Sequence, residues 1–236
     1  RPKATVIVAT TAALKLHGGV PATEITKQNM DALKAGTPNL RRHIQNMKGF
    51  GQSVVVSFNR FKHDSDEEIA YLEGVCAEEG VVFAINNGFV RGGEGASDLA
   101  RKVVDLIENN PSKDINFTYE LEDSIRTKIE KIATKIYKAG AVTFGNSAAA
   151  KLKQFEANGW GNLPVCIAKT QYSFSDDEKK ICAPEGFTIN VRDLVINAGA
   201  GFIVAVAGEI MRMPGLPKDP QAMHIKLVNG EIEGLS

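Results

Sequence analysis

Residues 53–95, SVVVSFNRFKHDSDEEIAYLEGVCAEEGVVFAINNGFVRGGEG, decide the fold of this chain. The apolar, mostly β-branched runs at 53–58 and 81–85 have the length and composition of strands buried on both faces. Between them a helical pattern opens with a capping box, in which Ser65 is followed three residues later by Glu68. Its inward positions are Ile69, Leu72 and Cys76. This strand–helix–strand order predicts a parallel sheet with a right-handed crossover, and therefore an α/β fold.

The same alternation extends along the rest of the chain. The pattern predicts further strands at 4–10, 142–144 and 163–168, and an alternating, glycine-bearing segment at 187–210. It predicts helices at about 26–35, 38–50, 97–109, 122–137 and 147–158, with loops at 11–21 and 110–114. Glycine and proline at 36–38 are expected to separate the first two of these helices. The motif MPGLP at 213–217 is expected to form a rigid turn.

Composition excludes several classes of function. Lysine plus arginine equals aspartate plus glutamate at 28 each, so neither nucleic acid nor a membrane surface is an expected partner. Cys76, Cys166 and Cys182 form no CxxC pair and are expected to be reduced thiols of a cytoplasmic protein. The four histidines show no zinc-binding spacing, so we expect no metal site.

Two aromatic side chains follow neighbouring predicted strands. Phe61 and Phe89 each lie in a polar loop just beyond the carboxyl end of a strand, which is the edge where open α/β sheets bind ligands. Two rings at adjacent strand ends can come within stacking distance and hold a flat heterocycle between them. The alternative is that Phe61 folds back onto the core.

Other polar residues sit at the same predicted edge. Lys15 and His17 follow the first strand, and Lys169 follows the strand at 163–168, where each either serves phosphate or carboxylate chemistry or is simply solvated. Residues 92–95, GGEG, precede a helix and are either a ligand loop or an ordinary turn. They do not match GxxxxGK[ST], so they are not a phosphate-binding P-loop.

Eight segments in order along the chain together resemble one enzyme family, formate–tetrahydrofolate ligase. They are KLHGGV (15–20), NRF (59–61), RGGEG (91–95), GNLPVC (161–166), AKTQYSFS (168–175), APEGF (183–187), GAGF (199–202) and MPGLP (213–217). The resemblance is to the C-terminal part of that enzyme, somewhat under half of it. It implies a P-loop-NTPase-like α/β fold whose P-loop lies in another part of the protein.

The resemblance also implies a reaction and its ligands. Formate attacks ATP to give formyl phosphate, and the amine of tetrahydrofolate then takes the formyl group, giving 10-formyltetrahydrofolate. The implied cofactor is ATP with Mg²⁺, with a monovalent cation possible. The implied domains are 1–38 (end of the nucleotide-binding domain), 39–134 (folate-binding domain) and 135–236 (C-terminal α/β domain). Because the strand at 4–10 needs neighbours, we expect a longer protein or a companion chain that carries the P-loop portion.

Site residues follow from the resemblance by position. The implied folate-binding residues are Phe61, Lys62, Ile85, Phe89, Gly92 and Gly93. The implied nucleotide-binding residues are Lys169, Pro184 and Gly186, and the catalytic candidates are Lys15 and His17. Phe89 stands where the family usually has tryptophan, Lys62 where bacterial members tend to have proline, and Ala12 where an arginine is usual.

Two functions are consistent with this sequence. The first is the folate slot and part of the nucleotide wall of the ligase, in a protein that self-associates as the family does. The alternative is a non-catalytic folate-binding or assembly module that lacks the ATP site. A P-loop in a longer precursor or companion chain discriminates between them.

Overall fold

A computed structural model describes residues 1–210, 218–228 and 231–234. The predicted turn at 213–217 lies outside them. The strands are β1 (Thr5–Ala9), β2 (Val54–Asn59), β3 (Val82–Asn86), β4 (Ala141–Phe144), β5 (Val165–Ala168), β6 (Thr188–Asn197), β7 (Phe202–Ala207), β8 (Lys226–Val228) and β9 (Glu231–Glu233). The α-helices are α1 (Thr11–His17), α2 (Met30–Gly49), α3 (Asp66–Glu78), α4 (Gly88–Gly95), α5 (Ser97–Asn109), α6 (Ile125–Lys135) and α7 (Asn146–Ala157).

The first sheet is parallel throughout, in the order β1-β2-β3. The central strand β2 is buried on both faces because helices cover them, and this explains its unbroken apolar run. β1 has one neighbour in the described chain, and Val8 on it is 62% exposed. The predicted strand–helix–strand unit is confirmed, with α3 capped by Ser65 and Glu68 as expected.

Helices α1, α2 and α4 differ from the prediction, and the first two differ for the same reason. Residues 11–17, expected in a loop, form α1, and the expected helix break at 36–38 lies inside the continuous helix α2. Close packing explains both differences. A Cβ atom on Gly36 would lie 1.8 Å from the carbonyl oxygen of Leu14, and one on Gly18 would lie 1.9 Å from that of Ala32. The glycines therefore let α1 and α2 touch, and this contact outweighs the local cost of Pro38.

The second sheet is mixed, in the order β4-β6-β7-β5. β6 runs antiparallel to β7, while the outer pairs β4–β6 and β5–β7 are parallel. Helices α6 and α7 pack against it, and the core between them includes Ile129, Phe155 and Ile189. The α/β class predicted from the sequence is confirmed, with parallel pairing dominant across the two sheets.

Helix α2 connects the two sheets. It packs against the first sheet, and it donates from Asn39 Nδ2 to the carbonyl of Cys182 at 2.8 Å and from Asn46 Nδ2 to the carbonyl of Ile136 at 3.2 Å. The predicted boundaries at residues 38 and 134 fall inside α2 and α6, and the three-domain division stays a prediction. No helix in the described residues has the length and apolar character needed to cross a membrane.

Candidate functional site

The two aromatic rings predicted to meet do lie together. Phe61 follows β2 and Phe89 follows β3, and their ring centroids are 5.6 Å apart with a 53° angle between the planes. The ring of His63 stacks on Phe61, nearly parallel, at 5.9 Å. A flat molecule between two parallel rings needs about 7 Å, which is twice a van der Waals contact of ~3.5 Å. The two phenylalanines therefore touch here, and a heterocycle enters only if one of them turns aside.

Phe61 is the fixed side of this pair. Its backbone N–H donates to Asp64 Oδ2 at 2.7 Å, and the other oxygen of the buried Asp64 accepts a hydrogen bond from the hydroxyl of Thr11. Asp64 thereby ties the loop after β2 to the start of α1. Arg60 closes the loop on the next strand, donating its backbone N–H to the Asn86 carbonyl at 3.0 Å. This local network fixes the backbone that carries the Phe61 side chain.

Phe89 is the exposed side, with 70% of its surface accessible. It lies on α4, where the sequence indicated only a glycine-rich loop. The helix is interrupted at Gly92, whose φ of 55° and ψ of −142° suit glycine and almost no other residue. A residue this exposed on an interrupted helix can change rotamer at little cost, because it breaks few packing contacts.

The remaining predicted folate residues surround the pair. Ile85 is half-buried on β3 opposite Phe58 of β2, and Lys62 is exposed beside Phe61. Gly93 is exposed, and a Cβ atom added there would meet nothing within 4 Å. All six predicted folate residues thus lie at one edge of the first sheet, in the loop after β2, on β3 or on α4.

Lys15 lies apart from this edge cluster. It is fully buried, and its ammonium group donates to Glu68 Oε1 at 3.2 Å and to the Lys27 carbonyl at 2.9 Å. Glu68 is equally buried, so the two residues form an ion pair with no solvent access. In this conformation Lys15 is a structural cation that joins α1 to α3, and a catalytic role for it stays a prediction without a supporting contact.

His17 and Lys169 share a cavity of about 260 Å³ between the two sheets. His43 and Tyr137 also line it, and the Lys169 ammonium lies 4.7 Å from the centre of the Tyr137 ring. Lys169 donates to the carbonyls of Thr170, at 3.1 Å, and Ser173. The structure thus brings one catalytic candidate and one nucleotide-binding candidate into a single pocket, which the sequence did not indicate.

Burial sets the charge state of this pocket. It lowers the pKa of Lys169 to about 8, against a weaker opposing effect of Asp176. Burial also lowers the pKa of His17. It lowers the pKa of His43 as well, to which protonated His17 and the cations Lys169 and Arg42 add. Both imidazoles are therefore neutral at neutral pH, and the single Lys169 cation gives the pocket a preference for anions.

Pro184 and Gly186 do not line this pocket and lie on a separate loop that is fastened to α2. Between them, Glu185 Oε1 accepts from Arg42 Nη2 at 2.5 Å. Gly186 has a φ of 69° and donates its N–H to the Lys138 carbonyl at 2.9 Å. Nearer the pocket, the backbone N–H of Cys182 donates to His17 Nδ1 at 3.0 Å. The loop carrying Pro184 and Gly186 is thus connected to His17 through Cys182.

Three contributors escaped the sequence reasoning, namely Asp64, His43 and Cys182. The role of Asp64 depends on Thr11, 53 residues earlier. The contact of Cys182 with His17 spans 165 residues. No local spacing signals such pairs. In the described residues no group of three or more histidine, cysteine, aspartate or glutamate side chains is arranged to hold a metal ion.

Comparison with known proteins gives one consistent result. A family model described as formate–tetrahydrofolate ligase matches residues 1–236. Proteins of that name from Parabacteroides distasonis and Bacteroides thetaiotaomicron are 57% and 56% identical over all of this chain, and one from Campylobacter concisus is 51% identical. The chain spans 42–43% of the length of these relatives.

Proposed function

The chain belongs to the formate–tetrahydrofolate ligase family, and from that premise we propose that it carries the folate slot and part of the nucleotide wall of such an enzyme. The complete protein would join formate to tetrahydrofolate with ATP, through formyl phosphate. The observation that supports this most directly is the pair of rings, Phe61 and Phe89, at the carboxyl edge of a parallel sheet.

The proposed slot works with one fixed and one moving wall. Phe61 is held by Asp64, while Phe89 is exposed on an interrupted helix. Rotation of Phe89 away from Phe61 opens the space that a pterin ring needs, and the two rings then cover both its faces. Orienting the folate amine in this way lowers the entropic part of the barrier to formyl transfer.

The proposed nucleotide wall is the pocket of Lys169 and His17 with the loop of Pro184 and Gly186. Lys169 supplies one positive charge toward a phosphate or formyl phosphate group. Bound ATP with Mg²⁺ would supply the phosphoryl group that activates formate. The described residues offer no carboxylate cluster for Mg²⁺, and the sequence has no GxxxxGK[ST]. In this proposal the metal and most of the phosphate contacts come from the P-loop that the family resemblance implies, and Lys169 adds to them.

Other features of the complete protein are part of the same proposal. A monovalent cation, self-association and a cytoplasmic location follow from the resemblance and the composition alone.

Substitutions at Phe61 in the complete protein test the folate slot. Phe61→Leu keeps an apolar side chain but removes the aromatic face, while Phe61→Tyr keeps the ring. We expect Phe61→Leu to weaken tetrahydrofolate binding by roughly 1–3 kcal/mol, as for bases stacked on aromatic side chains, and Phe61→Tyr to bind nearly normally. Isothermal titration with tetrahydrofolate measures both.

Equal affinity of Phe61→Leu and the unsubstituted protein would reject the slot. Retained folate binding without any ATP-dependent formyl transfer would instead favour a non-catalytic folate-binding module.

A further inference from the structure

A second polar cavity, of about 320 Å³, is lined by the C-terminal half of α2, next to the nucleotide pocket that Asn39 and His43 of the same helix line. Its lining includes the cations Arg42, Lys135 and Lys138, and among the residues that the structure describes no carboxylate lines it. Gly49 and Phe50 border it, just before the amino end of β2, whereas the folate loops follow the carboxyl end. The length of β2 separates the two regions by roughly 20 Å. We propose that this cavity binds a small organic anion, independently of the folate slot.

Arg42 gives the strongest indication of a ligand. Its side chain is 9% exposed, and its Nη1 atom is buried with no hydrogen-bond partner among the described residues. The other terminal nitrogen donates to Glu185, and the guanidinium carbon lies 5.7 Å from the centre of the Phe174 ring. These contacts hold the guanidinium in place. A buried, unpaired guanidinium N–H is costly, so a small shift of the Arg42 side chain that brings Nη1 to the cavity surface would let an anionic oxygen accept from it.

Lys135 and Lys138 carry the remaining positive charge. Glu185 offsets much of the charge on Arg42, so the net charge of the cavity comes from these two lysines. Lys135 donates to the Thr118 carbonyl at 3.0 Å, and Lys138 makes no ion pair within the described chain. The φ of Lys138 is 62°, a left-handed conformation that is rare for lysine. The hydrogen bond from Gly186 to its carbonyl holds this backbone at the edge of the cavity.

The neighbouring cavity defines the class of anion. An apolar space of about 490 Å³ adjoins the basic cavity, and Phe50, Asn116, Phe117 and Thr118 line both. Phe117 is 75% exposed although it is a large apolar side chain. A ligand with a carboxylate or phosphate head and an aromatic or short apolar body would place the head beside Arg42 and the body on Phe117.

Phenylphosphonate is a suitable probe because it joins a dianionic head to one ring. We would titrate it into the complete protein in the presence of saturating ADP and tetrahydrofolate, so that the proposed active site is filled. Inorganic phosphate and neutral benzyl alcohol serve as head-only and ring-only probes. We expect phenylphosphonate to bind more tightly than either, because only it uses both cavities.

Two variants locate the binding. Lys138→Asn removes the charge with a residue that accepts a left-handed backbone, and Phe117→Ala removes the ring; each should weaken binding by about ten-fold. The two controls change exposed residues that do not line the cavity. Lys153→Gln removes one positive charge from α7, and Val104→Ala shortens an apolar side chain on α5.

Three outcomes would overturn the proposal. The first is that phenylphosphonate does not bind, which would also be the result if another segment of the complete protein or a second copy covered the cavity. The second is equal affinity of Lys138→Asn and Lys153→Gln, and the third is equal binding of benzyl alcohol. Thermal unfolding of each variant distinguishes a loss of binding from a loss of folding. A protein that fails to bind folate but still binds phenylphosphonate would contradict the proposed folate slot and not this site.

Discussion

At the scale of single residues, the buried pair of Lys15 on α1 and Glu68 on α3 should contribute strongly to the stability of the protein. Both side chains are wholly inaccessible, so each depends on the other for a counterion. Lys15→Met should destabilise the protein by about 3–5 kcal/mol, because it leaves Glu68 buried and unpaired. Lys27→Met, which breaks an exposed pair with Glu24, should cost under about 1 kcal/mol. Urea unfolding measures both.

The same pair predicts a dependence of stability on pH. Burial alone would raise the pKa of Glu68, but the N–H groups of Ser65 and Asn29 and the Lys15 ammonium hold it below its ordinary value of 4.5. A carboxyl group with a lowered pKa contributes stability above its unfolded pKa and loses it as the pH falls through the folded pKa. Acid unfolding below about pH 4.5 should therefore show a smaller loss in Lys15→Met than in the unsubstituted protein. An identical loss would contradict this.

These residues also show what the sequence can and cannot predict. The capping role of Ser65 and Glu68 was predicted because a capping box is a local pattern. The burial of Lys15 was not, because a lysine beside His17 and two glycines reads as a solvated loop. Its counterion lies 53 residues away, and the sequence does not reveal that distance in space.

Phe89 offers a second prediction at this scale. Phe89→Trp adds aromatic area to the exposed wall of the proposed slot and should tighten tetrahydrofolate binding by about 0.5–1.5 kcal/mol. The chain has one natural tryptophan, Trp160, which packs against Phe155 in the second core, so a tryptophan at position 89 reports separately on the slot. Folate should quench its fluorescence. Unquenched emission together with unchanged affinity would argue against the moving wall.

At the scale of elements, the contact between α1 and α2 depends on glycine. Gly36→Ala places a Cβ atom 1.8 Å from the Leu14 carbonyl oxygen, and backbone must shift to relieve it. We expect a loss of about 3 kcal/mol. Gly74 is the matched control, because it lies within α3 and an added Cβ atom there meets nothing within 4 Å. Gly74→Ala should stabilise by about 0.5–1 kcal/mol. Similar effects from the two substitutions would contradict the packing account.

The same contact explains the limits of prediction for elements. The periodicity of α3 was sufficient to predict which face of the helix is buried, since Ile69, Leu72 and Cys76 are all buried as expected. For α2 the local signals pointed to a break, because Gly36 and Pro38 disfavour helix. Tertiary packing reversed this preference, and packing between elements distant in sequence is not encoded in any short window.

Lys169, where β5 meets the loop that follows it, predicts the pH dependence of anion binding. Its pKa of about 8 lies below the ordinary 10.5, so it is charged at pH 7 and neutral at pH 9. If it contacts a phosphate group, nucleotide affinity should fall between pH 7 and 9. Lys169→Arg remains charged throughout and should abolish that fall. Titrations of ADP at pH 7, 8 and 9 compare the two proteins, and parallel profiles would exclude Lys169 from the nucleotide site.

At the scale of the whole molecule, α2 holds the two sheets together through a few polar contacts. Asn39 reaches the Cys182 carbonyl, Arg42 reaches Glu185 and Asn46 reaches the Ile136 carbonyl. The proposed nucleotide pocket lies across this junction, so its shape depends on how firmly the two sheets are joined. This arrangement emerged only from the structure, because each of these contacts spans about 90 residues or more of sequence.

Weakening the junction should uncouple the unfolding of the two sheets. The double substitution Asn39→Ala with Glu185→Ala removes two of the contacts, at about 0.5–1.5 kcal/mol each. Trp160 fluorescence reports on the second sheet, whereas far-ultraviolet circular dichroism reports on all of the secondary structure. In the unsubstituted protein the two urea transitions should coincide, and in the variant they should separate. Glu178→Ala with Asn158→Ala, which changes exposed residues away from the junction, is the control. Coincident transitions in the junction variant would mean that apolar packing, rather than these polar contacts, joins the two sheets.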